Sequence, residues 1–364
     1  MQSRKPTLKI FIYFISMLLL IASCGEKGNK KTDQETKGSL PEKNIRLVHD
    51  EANKKVDVLI DGKLFTSYIY PNNIKKPVLY PLITPNGTKI TRKYPLEPSV
   101  GERVDHPHHV GLWLNYGDVN GFDFWNNSDS IKLEKRSGYG SIKHREILKM
   151  EDGNENATLK TAMDWEDSKG NVLLKEETDF VFSTNQEHYI IDRITTLTAI
   201  EEVLFKDNKE GMLGVRVTRA LEHPSNSPGI FTDANGKPTK VAKLNNDGVT
   251  GNYISSNNIQ GTDAWGKRAD WVNLTGTIGQ ENIALAILDH KKNAGYPTYW
   301  HARGYGLFAA NPLGQKVFSN GKDSLNLTLK KGEKTTFRHR IIVASSHLSN
   351  ETLHQSFSEF SQNQ

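Results

Sequence analysis

The sequence predicts an all-β protein, a large antiparallel two-sheet β-sandwich with long loops and a short C-terminal helix. Three observations carry this. Apolar residues alternate with polar ones in strand-length runs. Tight turns containing glycine separate several of these runs, so successive strands reverse direction. No alternating rhythm of helix and strand appears, which argues against a parallel α/β sheet. Long strands joined by short turns around one large core favour two packed sheets.

The first 24 residues stand apart from the fold. Arg4, Lys5 and Lys9 precede an apolar run from Ile10 to Ile21, too short to span a bilayer comfortably and suited to a signal-peptide core. The run ends in Ile21-Ala22-Ser23-Cys24, which resembles a bacterial lipobox. Cys24 is the only cysteine of the chain, so no intrachain disulfide is possible and lipidation of Cys24 is the reading that accounts for it. Residues 25–44 are polar and rich in Gly, Lys, Glu, Asn and Thr, as in a flexible tether. Residues 45–364 are expected to form one β-sandwich domain. This places the protein in a bacterial cell envelope, facing the periplasm or on the outer-membrane surface, with the lipid anchor as its membrane contact.

Charge says little about partners. The whole chain carries 47 basic and 42 acidic residues; the first 24 hold three of the basic and none of the acidic, which leaves 44 against 42. No basic run with interleaved aromatics suggests nucleic acid.

The elements follow in order. Val56, Val58 and Ile60 alternate, Asp61-Gly62 turns, and Leu64 to Tyr70 returns as a hairpin. Ala157–Asp164 and Val172–Phe182 flank a Lys169-Gly170-Asn171 turn. Tyr189–Ile200, Met212–Leu221, Ile283–Asp289 and Tyr305–Asn311 are further strands. Leu325–Leu329 and Thr335–Ala344, joined by Lys331-Gly332-Glu333, are expected to pair. In the tail, Ser349 can cap a helix that aligns Leu353, Phe357 and Phe360. The stretch from about His223 to Asp270 is a long loop with Trp265 and Trp271, expected to fold over the site.

The chemistry concentrates in Asp105-His106-Pro107-His108-His109, followed by Trp113, Asp118, Asn120, Asp123 and Trp125. Imidazoles at this density suit proton exchange, metal ligation or polar recognition better than core packing. Pro107 disfavours a central strand. If the segment is extended, His106 and His108 point to one side and His109 to the other, with Asp105 able to orient a ring. A second cluster runs from Tyr299 to Pro312 and holds His301, Arg303, Tyr305 and Asn311. Arg303 can grip a carboxylate or sugar hydroxyls with its planar fork. Arg92 and Arg103 flank the histidines and can face the same cavity; Arg216 and Arg219 are weaker candidates, of which at most one faces inward. No phosphate loop, His-Glu-x-x-His pair or Gly-x-Ser-x-Gly elbow is present.

Tyr80-Pro81-Leu82, Pro85-Asn86-Gly87, Thr91-Arg92, Tyr94-Pro95, Asp105 to His109, Asn120-Gly121 and Phe124-Trp125 resemble a bacterial domain family of unknown function often labelled methane oxygenase PmoA. So does the run from His301 to Pro312. The resemblance extends from about Tyr68 to about Ala344. The oxygenase activity in that label is not carried over, because membrane methane oxygenase subunits are built of transmembrane helices. The chain also resembles, more loosely, the galactose-mutarotase-like supersandwich of sugar epimerases, polysaccharide lyases and some glycosidase domains. There His106 would match the histidine of a His-Pro-Tyr segment beside the sugar ring, with His108 in the tyrosine's place. Glu222 would stand for the downstream glutamate base.

These signals lead to a carbohydrate-active enzyme: a hydrolase, lyase or epimerase in the cell envelope. His106, His108, His301, Asp105 and Asp118 are its candidate catalytic residues. Arg92, Arg103, Trp113, Asn120, Trp125, Trp265, Arg303 and Asn311 are its candidate contacts to a carbohydrate or glycoside substrate. A divalent metal on His106, His108 and His301 is possible. The alternatives are a non-catalytic glycan-binding lipoprotein and a histidine-ligated metal oxidoreductase.

Overall fold

A computed structural model describes residues 44–185 and 187–362. The signal segment, Cys24 and the tether up to residue 43 lie outside the described residues.

The chain enters sheet I through β1 (Ile45–Asp50), β2 (Lys55–Ile60), β3 (Lys63–Ile69), β4 (Val78–Leu79) and β5 (Leu112–Tyr116). Four long strands then form a meander in sheet II: β6 (Ser141–Glu151), β7 (Asn156–Glu166), β8 (Val172–Thr184) and β9 (His188–Ala199). A short β10 (Val203–Phe205) leads to β11 (Gly211–Arg216), back in sheet I. A separate hairpin, β12 (Gly229–Thr232) with β13 (Pro238–Val241), precedes β14 (Asn252–Ser255), β15 (Trp271–Ile278) and β16 (Glu281–Leu288) of sheet II. Sheet I is completed by β17 (Tyr299–Ala302) and β18 (Leu307–Asn311). Last come β19 (Leu327–Leu329), β20 (Lys334–Ala344) and the helix α1 (Asn350–Gln362).

Sheet I runs in the order β1-β2-β3-β4-β5-β11-β18-β17, and sheet II in the order β14-β15-β16-β20-β9-β8-β7-β6. Each has eight strands, and every pairing within them is antiparallel. The two-sheet β-sandwich expected from the alternation is the fold that forms.

The alternation maps onto burial. Ala157, Leu159, Thr161, Met163 and Trp165 of β7 are buried and their neighbours are half-exposed. Asp61 and Gly62, both at positive φ, close the β2–β3 hairpin, as an Asp-Gly pair does in a two-residue turn. In the tail, Ser349 Oγ accepts the Thr352 amide at 3.1 Å, and Leu353, Phe357 and Phe360 are buried. Leu353 and Phe357 cover Trp271, Ala286, Leu288 and Ile342 of sheet II. Trp271 therefore packs beneath α1.

Two expectations are corrected. Leu327–Leu329 and Lys334–Ala344 do not pair with each other; β19 pairs with β10, and β20 lies between β16 and β9. The turn at Lys331-Gly332-Glu333 thus carries the chain to a different sheet. The strand expected over Met212–Leu221 ends at Arg216, and Arg219–Leu221 form a 3₁₀ turn. Among the described residues no helix is long and apolar enough to cross a membrane.

The central strands of sheet I position the site. β5, β11, β17 and β18 are buried on both faces. One face (Leu112, Leu114, Leu213, Val215, Phe308, Ala310) joins the main core. The opposite face carries Trp113, Gly214, Ala309 and His301, which lie in one cross-strand row. Gly214 is required there, since a Cβ would come within 2.7 Å of the Trp113 ring and 3.0 Å of Trp125. The row is therefore flat enough for aromatic rings to lie across it.

Candidate functional site

The histidine segment is a turn laid over that row, and this corrects the extended geometry. His106 has φ +45°, and its carbonyl accepts the His109 amide at 3.0 Å. All three rings converge as a result. Tyr305, His106, His109 and Trp113 form a column of near-parallel rings, with centroid spacings of 5.2, 4.8 and 5.3 Å. His108 packs edge-on against His106 and His109.

Buried arginines hold the turn. Arg92, 1% exposed, donates to the carbonyls of Asp105, His106 and His109 at 2.7–3.0 Å and to Asp105 Oδ1 at 2.8 Å. Arg216, fully buried, donates to Asp105 Oδ1 at 2.5 Å and to His109 Nδ1 at 3.1 Å, and lies over the Tyr305 ring. Because a guanidinium only donates, His109 Nδ1 accepts and its proton sits on Nε2. Asp105 Oδ2 lies 3.4 Å from His106 Nδ1. Burial would raise the Asp105 pKa, but the hydrogen bond from His106 and the Arg216 and Arg92 charges outweigh it and hold the carboxyl below the usual range. Asp105 is thus an ionised anchor that orients His106.

Two cavities open over this platform. One, about 500 Å³, is lined by His106, His108, His301, Lys209, Glu210 and Tyr305, among others. The other, about 590 Å³, is lined by Arg103, Asp105, His223, Ser225, Ser227 and Thr262, among others. Trp265, Arg303 and Tyr305 line both, so the two are lobes of one basin.

His301 joins the first lobe from β17. Its Nδ1 lies 3.1 Å from the Lys209 carbonyl, which only accepts, so Nδ1 carries the proton and Nε2 keeps its lone pair. Burial, reinforced by the Lys209 and Arg303 charges, pushes its pKa down to about 3, and the ring is neutral. His108 is neutral too, held far below the usual range by burial and by the neighbouring Lys76. Lys76 is buried, donates to the His108 carbonyl at 2.7 Å and lies over Trp113; burial pushes its pKa down to about 7. Tyr305 Oη makes no hydrogen bond among the described residues, and burial raises its pKa.

The basin therefore gathers His106, His108, His301, Asp105, Arg103, Arg303 and Trp265 of the expected residues. Others are placed elsewhere. Trp113 and Trp125 are fully buried and present no ring face to a sugar; they floor the site. Arg92 is walled in by the backbone it supports. Asn311 is buried, donates to the Asn208 carbonyl and accepts from the amides of Leu313 and Gly314. Asp118 and Asn120 shape the turn before Gly121 and line neither lobe. Glu222 is not a free base: Arg103 and Arg219 bind it at 2.9 and 2.7 Å. The three-histidine metal set is not assembled, since among the described residues no group of three His, Cys, Asp or Glu side chains is arranged to hold a metal ion.

Lys209, Glu210 and Asn126 line the first lobe without having been expected there. They sit in polar loops whose sequence reads as ordinary turns, and no local signal marks them.

Among solved structures the chain is similar to the GH36 alpha-galactosidase AgaB from Geobacillus stearothermophilus, at 11% identity and TM-score 0.38 over 84% of this chain and 42% of that one. It is similar to the galactosidase domain of the alpha-galactosidase-sucrose kinase AgaSK at 9% identity and TM-score 0.42, over 84% and 42%. It is similar to a galactose mutarotase related enzyme from Lactobacillus acidophilus at 8% identity and TM-score 0.30, over 83% and 98%. The chain spans less than half of the galactosidase chains, and likenesses this remote carry no argument about function. Among curated proteins none matches the chain. A family model does match, over residues 55–358, and the family has no assigned function, so the methane-oxygenase label gains no support. The chain belongs to that family of unknown function, DUF6807.

Proposed function

We propose that this protein is a carbohydrate-active enzyme of the bacterial cell envelope, lipid-anchored at Cys24, that transfers protons to and from a sugar bound in the two-lobed basin. One observation carries the proposal: neutral His301, with its tautomer fixed by the Lys209 carbonyl, shares a ring-walled cavity with His106, which is backed by ionised Asp105. A neutral imidazole with a directed lone pair accepts a proton; one backed by a carboxylate shuttles it. Trp265 offers a ring face for a pyranose, and the Tyr305 hydroxyl, at the edge of the ring column, is available to a substrate oxygen.

The arrangement favours epimerisation or elimination over hydrolysis. A glycosidase places two working carboxylates across the scissile bond. Here Asp105 is gripped by two arginines, and Glu210 contacts Lys209.

A panel of mono- and oligosaccharides, incubated with the protein in D₂O, tests this by NMR. The expected result is solvent deuterium in the sugar or an unsaturated product. His301→Ala should lower that rate about 10²-fold or more while binding persists. Trp265→Ala should weaken binding. Binding without exchange or turnover would make the protein a glycan-binding module; no binding by any sugar would reject the carbohydrate assignment.

A further inference from the structure

We infer that the basin selects a sugar carrying a negatively charged group, a uronate carboxylate or a sulfate ester, and that Arg303 receives that group. The inference rests on the carbohydrate assignment above and names the substrate class.

The charge around the basin is unbalanced. Asp105 lies between Arg92 and Arg216, and Glu222 between Arg103 and Arg219. Arg103 also approaches Asp105 to 3.9 Å. Four guanidiniums thus share two paired carboxylates and the nearby Glu102, which acts on Arg92 and accepts the Lys93 and Tyr94 amides. Glu210, the acidic side chain of the other lobe, contacts Lys209. Among the described residues no carboxylate pairs with Arg303.

Arg303 is the group this leaves open. It lines both lobes and is exposed. Among the described residues its guanidinium makes no hydrogen bond and no ion pair. It contacts ring faces instead, 5.7 Å from Trp265 and 5.6 Å from Tyr305. Two rings restrict the guanidinium without using its five N–H donors. A planar fork held in this way matches a carboxylate or sulfate with two parallel hydrogen bonds. A neutral sugar over the same spot would desolvate the cation and return no charge.

The test is calorimetric binding to the full-length protein of glucuronate and galacturonate oligosaccharides, their methyl esters, the neutral parent sugars and a sulfated galactan oligosaccharide. Esterification removes the charge and keeps the size. The expected result is that an acidic sugar binds about 10- to 100-fold more tightly than its neutral counterpart. Arg303→Gln should abolish that gap while leaving the melting temperature unchanged, and Arg303→Lys should restore part of it. The arm that shows the gap, uronate or sulfate, names the group. Equal or tighter binding of the esters and neutral sugars, or a gap that survives in Arg303→Gln, overturns the inference and leaves the carbohydrate assignment standing. A folded protein that binds none of these sugars overturns both.

Discussion

The rings of Tyr305 and His106 lie parallel to within 3°, with centroids 5.2 Å apart. One comes from the turn entering β18 and the other from the turn before β5, about two hundred positions earlier in the chain. The stack fixes the imidazole plane on one side while His109 fixes it on the other, at an interplanar angle of 6°. Arg216 lies over the far partner, 4.8 Å from the Tyr305 ring. Ring and hydroxyl of Tyr305 therefore have separable roles. Tyr305→Phe keeps the stack and should leave the unfolding midpoint within about 0.5 kcal/mol of the parent, while lowering turnover. Tyr305→Ala should destabilise by about 3 kcal/mol and also release His106. Equilibrium urea unfolding of both variants separates the contributions.

Much of the architecture was legible because burial in an antiparallel sandwich writes a period of two into the strands. β7 and β9 show it over eleven and twelve residues, and Asp61-Gly62 has few alternatives to a tight turn. The partner of each strand was less visible. Leu327–Leu329 pairs with β10, far back in the chain, and a turn motif records only that the chain bends. The candidate site was legible as a place, since His106, His108, His301 and Arg303 do meet. Its depth was not. Trp113, Trp125 and Asn311 have the side chains of a sugar site and are buried in its foundation. Composition cannot tell the floor of a pocket from its wall. The turn at His106 was also hidden, because it depends on Arg92 gathering three carbonyls from another segment.

The Arg92–Asp105–Arg216 cluster makes a second prediction. Both guanidiniums are almost wholly buried, and one carboxylate serves both. Asp105→Asn keeps the shape and removes the charge, leaving two like charges facing each other in the interior. The expected loss is about 3–5 kcal/mol in urea unfolding. Glu210→Gln, at the partly exposed pair with Lys209, should change stability by less than about 1 kcal/mol. Comparable losses in the two variants would mean that the buried cluster does not hold the turn.

Gly111 links the histidine turn to β5 and has φ +58°. A Cβ there would lie 2.3 Å from the Leu79 carbonyl oxygen on the neighbouring strand. Gly111→Ala must strain the backbone and push β4 from β5 just below the histidines. The expected cost is about 3 kcal/mol. Gly62→Ala, with φ +77° and open space around the added methyl, should cost only about 1–2 kcal/mol from the left-handed conformation. Thermal unfolding of the pair distinguishes packing strain from φ alone.

The last prediction concerns acid. His339 is fully buried, neither ring nitrogen makes a hydrogen bond among the described residues, and Asp289 lies 4.0 Å away. The distance suits an ion pair, but burial pushes His339 down to about 3 and Asp289 up to about 7. His339 is therefore neutral at pH 7, and Asp289 becomes neutral as the pH falls below about 7. Burial also holds His144 and His290 at about 4, and His301 at about 3. An unfolded histidine titrates near 6.5. Below that pH the unfolded chain takes up protons that these folded imidazoles refuse, so stability falls as the pH drops from 6.5 toward 4. Asp289 acts in the opposite sense: its raised pKa favours the folded state at low pH, and that benefit is lost as the pH rises from 3.8 through 7. Burial raises Glu102 and Asp123 in the same sense as Asp289, but it also depresses His108, His109 and His188, so the imidazoles outnumber the carboxyls and prevail. His339→Leu removes one of them without breaking a hydrogen bond. Between pH 6.5 and 5 the variant should lose less stability than the parent, by up to about 1.4 kcal/mol per pH unit. Urea unfolding at both pH values measures the slope. An unchanged slope would mean that His339 takes up its proton in the folded protein, with Asp289 ionised beside it as a true ion pair.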